Sequence, residues 1–414
     1  MPPPVRRGCL DALLSAHPLG NNRAYSAARL FALRDYCEAT SRVRVLLVCI
    51  LFCIPSISAI VLLDVVPLQD PADGWRANKT YWWRLSVHIF LVCSTVLMKA
   101  QVVIPQVPFT AKRIAAIAVL TASGFIGVVV LIARFWRFPI PFVFTISGLP
   151  YMIVMNTLVV ITLGPSNRKD LATYFRFSLG VGVETTMVIV YPVYNAIFVS
   201  LDGSVQLAFV LLLPVIKYSF KYVVARMHRG DTDLIPSISS SVDIFDALYM
   251  TKCMQSGSTL LVGFAIIGVD LLQNAVAIVR LDRQTRKVRE LLAKARTGGD
   301  NDNVARGLLP WMFSQLETSR TSSVASSDAI RECAILLHES EVVVVVEFIE
   351  TAVPVIYVAY LTLLFYLPNA KYYQDMQGFT EAQLRRVVTN ILIYAGLELL
   401  SLLHISHSFK RHFG

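Results

Sequence analysis

Residues 114–135 read IAAIAVLTASGFIGVVVLIARF, with no charge before Arg134. At 1.5 Å per residue a helix of this length covers about 33 Å, enough to cross a hydrocarbon core of about 30 Å. Comparable apolar blocks lie at about 45–66, 85–107, 139–163, 174–199, 205–225, 342–367 and 387–407. The 414-residue chain is 55% hydrophobic and 16% charged, against about 25% charged for a soluble domain. Mean hydropathy is +0.58. This balance excludes a soluble globular enzyme and predicts an all-α fold, a polytopic transmembrane helix bundle of eight firm spans plus one re-entrant or crossing segment.

That additional segment is 242–279, where an apolar run carrying Asp270, Gln273 and Asn274 follows the polar-aromatic stretch Val242 to Tyr249. It crosses once or enters and returns. Loop charge favours return, because the excess of Lys and Arg on the amino-terminal side is then far larger. The arm 1–44 is basic, with Arg6, Arg7, Arg23, Arg29, Arg34, Arg42 and Arg44 outweighing Asp11, Asp35 and Glu38. The positive-inside rule therefore predicts a cytosolic arm and, with a returning segment, both termini cytosolic. Residues 8–20 are too interrupted for a signal-peptide core, so the first span is expected to act as an uncleaved anchor. The first loop holds the sequon Asn78-Lys79-Thr80 and the cluster Trp75, Tyr81, Trp82 and Trp83, which suits an interface outside the cytosol. Asn78 is the candidate glycosylation site.

Four regions follow: the arm 1–44, a main transmembrane bundle 45–279, a cytosolic basic and Ser-rich linker 280–341, and a helical pair with a short tail, 342–414. The basic stretch Arg280 to Arg296 suits an anionic lipid surface on the cytosolic side. The run Ser319 to Ser323 suits a solvated linker open to phosphorylation. A net charge of +10 spread between apolar blocks points to topology and lipid contact and not to nucleic acid. The seven cysteines form neither metal-type pairs nor a disulfide framework.

Chemistry is concentrated in ionisable groups within apolar blocks, where each costs about 2.5–3.5 kcal/mol at a helix centre and needs a partner or a wet cavity. Glu184 shares its block with Gly180, Gly182 and Tyr191-Pro192, a combination able to loosen a helix beside a cavity, or it pairs with a Lys of the next helix. Lys217 either snorkels to the interface or joins a polar site. Asp270, Gln273 and Asn274 make one polar stripe facing protein or water. Glu347 and Glu350 share a face one turn before Pro354, suiting cation or proton handling or pairing with charges at the interface. Glu398 precedes His404 and His407, with no repeated Glu-x-x-His to make a di-iron site. No metal ligand set and no cofactor is expected.

Enzyme signatures are thin. His228 and Asp233 form an isolated His-x4-Asp, and Asp243 with Asp246 a lone Asp-x-x-Asp able to hold Mg²⁺ at a membrane face. No Walker loop, GxSxG, HExxH or dinucleotide fingerprint occurs. Three sets of residues, Leu63-Asp64 with Pro67-Leu68, Gly74-Trp75 and Asn78; Leu213 to Lys217; and Val242 to Tyr249 with Cys253 to Gln255, resemble those of an expanded family of multi-spanning oomycete membrane proteins. The resemblance covers roughly 36–290 and implies a membrane location with no assigned activity. Asp246 departs from it, standing where the resemblance implies Asn.

Two functional expectations result. In one, a transporter or channel-like protein uses Glu184 and Asp270, with Lys217, in a midplane cavity that couples proton or cation binding to movement of a small solute. In the other, a non-catalytic receptor or membrane scaffold acts through 280–341. A membrane-embedded lipid enzyme ranks below both. The bilayer is the partner common to all three, the plasma membrane is the default location, and oligomeric state is left open.

Overall fold

A computed structural model describes residues 27–104, 109–164, 168–227, 234–257, 260–296 and 324–413. No strand occurs among them; the helices are α1 (Ala27–Ala39), α2 (Arg42–Leu51), α3 (Ile54–Val65), α4 (Lys79–Val103), α5 (Ala111–Phe135), α6 (Val143–Leu163) and α7 (Arg168–Ser200). They continue with α8 (Gly203–Phe209), α9 (Leu212–Met227), α10 (Leu234–Ser256), α11 (Leu260–Arg296), α12 (Val324–Tyr366) and α13 (Glu381–Phe413). Residues 1–26, His228 with Asp233, and Ser319 to Ser323 lie outside the described residues, as do the readings placed on them.

Eight stretches among the described residues have the length and hydropathy of a membrane span: Lys79–Val102, Ala111–Phe135, Val143–Leu163, Asp170–Ser200, Gly203–Met227, Leu261–Leu291, Ile330–Tyr366 and Glu381–Phe409. The chain is a multi-pass integral membrane protein. The set departs from the sequence reading at 45–66, and it resolves the segment 242–279 into the returning helical pair that loop charge favours. The block 45–66 is not one continuous helix but α2 and α3, broken at Phe52 and Cys53, because Pro55 in the first turn of α3 has no N–H with which to continue α2. The segment 242–279 is a pair of full helices, α10 and α11, meeting at Gly257.

α10 is too polar to score as a span, yet at 23 residues it is about 35 Å long and packs against α7, α9, α12, α11 and α13. Its neighbours shield it from lipid, so its polar side chains need no apolar surroundings beyond the protein. Its buried positions Ile238, Val242, Asp246, Met250 and Met254 recur at the helical period. α4 to α7 pack in sequence order, and α12 joins this group through α10 to α13, α11 and α3.

One end of the bundle is tied by side chains. Asn369, between α12 and α13, donates to the carbonyls of Asp64 (2.5 Å) and Val66 (2.7 Å) and accepts from the Leu68 N–H. Lys252 near the end of α10 pairs with Asp375 at 2.9 Å. The end of α3, the start of α4, the end of α10 and the α12–α13 connection therefore share a face, here the first face. With α2–α3 and α8–α9 each taken as one broken traverse, the chain alternates between faces so that α2 starts and α13 ends at the second. α11 and α12, about 56 and 65 Å long, exceed the bilayer and run on together there, where Gln284 and Lys287 contact Glu332 at 2.9 and 2.8 Å. The basic stretch Arg280 to Arg296 is the end of α11.

Proline interruptions are absorbed locally. α7 continues through Pro192, which cannot take the Val188 carbonyl; the Thr145 hydroxyl of α6 donates to that carbonyl at 3.3 Å instead. The loosening of α7 expected at Tyr191-Pro192 does not occur. Tyr191 is fully buried and stacks on Phe220, Phe245 and Tyr249, which joins α7, α9 and α10.

Candidate functional site: a buried lysine–carboxylate network

Five helices send ionisable groups into one interior region. Helical spacing puts Lys217 with Lys221 on one face of α9, Asp243 with Asp246 on α10, and Glu347 with Glu350 on α12. The same rule pairs Asp270 with Asn274 on α11 and Tyr394 with Glu398 on α13. Every one of these ten side chains is buried. Lys217 Nζ lies 2.8 Å from Glu350 Oε1, 3.1 Å from Asp246 Oδ2 and 3.6 Å from Asp243 Oδ1. Lys221 Nζ holds Asp243 from the other side at 2.7 Å.

The network extends beyond the lysines. Tyr394 donates to Asp270 Oδ2 at 2.9 Å, and Asn274 Nδ2 to Glu398 Oε2 at 3.1 Å. One oxygen each from Asp270, Glu350 and Glu398 lies within 4.8 Å of the others. Two ligands on opposite sides of one hard cation at 2.3–2.6 Å stand about 4.6–5.2 Å apart, so this spacing fits a single ion. Asp270 Oδ1, Glu350 Oε2, Glu398 Oε1 and Glu347 Oε2 are buried without a hydrogen-bond partner. Pro354 adds an acceptor, since it has no N–H for the carbonyl of Glu350 four residues earlier.

Charge decides what this region can do. Two ammonium groups face six carboxyl groups, and a fully ionised set would leave four uncompensated negative charges where each ion costs several kcal/mol to desolvate. Protons or bound cations can make up the difference. Depth is also telling: Asp246 and Asp270 each stand ten residues, about 15 Å, from the first-face end of their helices, near the middle of a bilayer.

The structure sorts the sequence candidates. It brings Lys217, Asp270, Glu350 and Glu398 together, with Glu347 buried one turn before Glu350. Lys217 does not snorkel, being only 4% exposed, and Glu350 meets an interior lysine instead of an interface charge. Glu184 does not join them. Its carboxylate accepts from Lys99 of α4 at 2.6 Å and Ser241 of α10 at 2.7 Å, so the expected lysine comes from a distant helix and Glu184 shares no site with Asp270. Asp243 and Asp246 are occupied by lysines inside the bundle and form no open Mg²⁺ platform at a membrane face. His404 and His407 are exposed while Glu398 is fully buried, which separates them. Asn78 is 2% exposed and donates to the carbonyls of Asp70 and Gly74, both at 2.9 Å; its amide serves the turn, and nothing supports a glycan there.

Sequence reasoning missed Lys221, Tyr394 and the three-carboxyl cluster. Tyr394 four residues before Glu398 was a readable signal; the convergence of α11, α12 and α13 was not. It also missed a second polar centre on the first face, where Asp64 accepts from Arg84, from Tyr373 at 2.6 Å and from Tyr360 at 3.0 Å. Burial beside Asp64 pushes the Tyr373 hydroxyl up to about 12. Compared with family models, with curated proteins and with solved structures, the chain matches none.

Proposed function

We infer that this membrane protein is an ion-coupled transporter in which Lys217, Asp270, Glu350 and Glu398 form the exchange site. The observation that supports the reading is the excess of six buried carboxyl groups over two lysines near the middle of the bundle. A region of this kind takes up a proton or a small dehydrated cation readily, and loss of that ion changes the balance of attraction among α9 to α13. Lys217 then acts as a tethered cation: when the free ion leaves the Asp270–Glu350–Glu398 side, the ammonium is pulled further towards Glu350. A shift of that kind would give the bundle two arrangements with different openings. Proton or cation exchange is the coupling step, and a small solute is the cargo.

The test is ion flux in proteoliposomes. With an imposed pH or sodium gradient and a pH-sensitive or sodium-sensitive dye inside, the wild-type protein should dissipate at least one gradient faster than empty vesicles. Glu350→Gln and Asp270→Asn should lower that rate at least tenfold while the protein still elutes as a folded species. Wild-type rates indistinguishable from empty vesicles for both ions, or full rates in both variants, would remove the ion-coupling role. Binding of a soluble partner that is lost on deleting 280–341 would then favour the scaffold reading.

A further inference from the structure

Two cavities lie away from the lysine–carboxylate network and share a wall. The upper one, about 410 Å³, opens near the first face among α3, α4, α6 and α12, and its lining includes Asp64, Arg84, His88, Phe144, Tyr360 and Tyr373. The lower one, about 370 Å³, lies among α4 to α7 and α10, with Val92, Tyr151, Glu184 and Ser241 in its lining together with His88 and Phe144 again. The rings of His88 and Phe144 stand 5.2 Å apart at the junction.

We propose that the two chambers form one binding site for a single-chain anionic amphiphile, a fatty acid drawn from the bilayer. Polarity falls from one end to the other in the sense such a molecule requires. The upper end carries the Arg84 guanidinium, whose Nη2 is taken by Asp64 and Tyr373 while Nη1 has no acceptor. The Tyr360 and Tyr373 hydroxyls donate to the Asp64 carboxylate beside it, and His88 lines the same cavity. The lower chamber is lined mainly by apolar side chains, and its one carboxylate, Glu184, is already held by Lys99 and Ser241. It offers hydrocarbon contact with little left to solvate a polar cargo. Length agrees: from Arg84 to Val96, both at cavity walls, is twelve residues along α4, about 18 Å. One leaflet of a hydrocarbon core of about 30 Å is about 15 Å deep, the reach of one acyl chain with its head at the interface. The carboxylate would sit beside Arg84 and His88, and the chain would pass Phe144 into the lower chamber.

This site is separate from the ion-coupling reading and stands or falls on its own test. A fatty acid with a photoreactive diazirine near its chain end is incubated with the full-length protein in nanodiscs, irradiated, and the labelled peptides mapped by mass spectrometry. Label should concentrate in α6 and α7 around 148–188, fall when unlabelled fatty acid is added, and be weaker with the corresponding uncharged alcohol. Val92→Trp, which fills the lower chamber, should lower labelling at least fivefold; Val102→Trp, on the outer surface at 82% exposure, should leave it unchanged. Val188→Phe, from another wall of the chamber, repeats the test if Val92→Trp fails to fold. Label spread evenly over lipid-exposed helices, or undiminished in whichever filling variant folds, would reduce the cavity to ordinary bilayer contact and overturn the proposal.

Discussion

Lys217 is the side chain on which most of the interior depends, because it is buried with three carboxylate neighbours. Removing one partner of a buried ion pair leaves an uncompensated charge and costs about 3–5 kcal/mol. Lys217→Met should therefore destabilise the protein by about that amount in detergent unfolding, and Lys217→Met with Glu350→Gln should recover part of the loss. Equal stability of Lys217→Met and wild type would mean that the neighbouring carboxyls are already neutral. On the first face, Tyr373 is held protonated beside Asp64, with a folded value near 12 against 10 in the unfolded chain. Its raised value makes the contribution complete below pH 10 and lost as pH rises through about 12. Tyr373→Phe should flatten the fall in melting temperature over that window; an unchanged slope would show that the hydroxyl titrates freely.

At the scale of elements, α10 and α12 explain why the site was only partly legible. Isolated charges in apolar blocks identified Glu184, Lys217, Asp270, Glu347, Glu350 and Glu398 as needing partners, and five of the six share one network. Partner identity depends on which helices touch, and hydropathy carries no such information. α10 is a further limit: its low hydropathy follows from being surrounded by protein, so a rule built on lipid-facing helices passes over it. Glu184 illustrates the same limit, since its partners Lys99 and Ser241 lie 85 and 57 positions away. Pro354 gives an element-level test. Pro354→Ala restores the N–H for the Glu350 carbonyl and should raise or preserve the melting temperature while weakening stabilisation by added cation. Unchanged stabilisation by cation in Pro354→Ala would exclude that carbonyl from the site.

For the whole molecule, the span pattern was readable because about 20 apolar residues are required wherever a helix faces lipid. The break in 45–66 and the exact course of 242–279 were not, since a turn at Cys53 and a buried polar helix both preserve much of the local composition. The even number of traverses can be tested with single cysteines placed in a background lacking Cys9, Cys37, Cys49 and Cys53. Asp73→Cys and Gln377→Cys should react with an impermeant maleimide from one side of sealed vesicles, and Lys112→Cys and Arg286→Cys from the other. Arg286→Cys reacting from the same side as Asp73→Cys would contradict the α10–α11 hairpin.

The central claim is that protons or cations occupy a bundle interior with more carboxyl groups than lysines, and infrared spectroscopy of the carboxyl stretch reads that occupancy directly. At neutral pH in buffer free of small metal cations, the purified protein should show a protonated-carboxyl band that shrinks in Asp270→Asn, Glu350→Gln and Glu398→Gln and falls when a bound cation replaces the proton. Absence of that band, together with no spectral response to added sodium or calcium, would contradict the account.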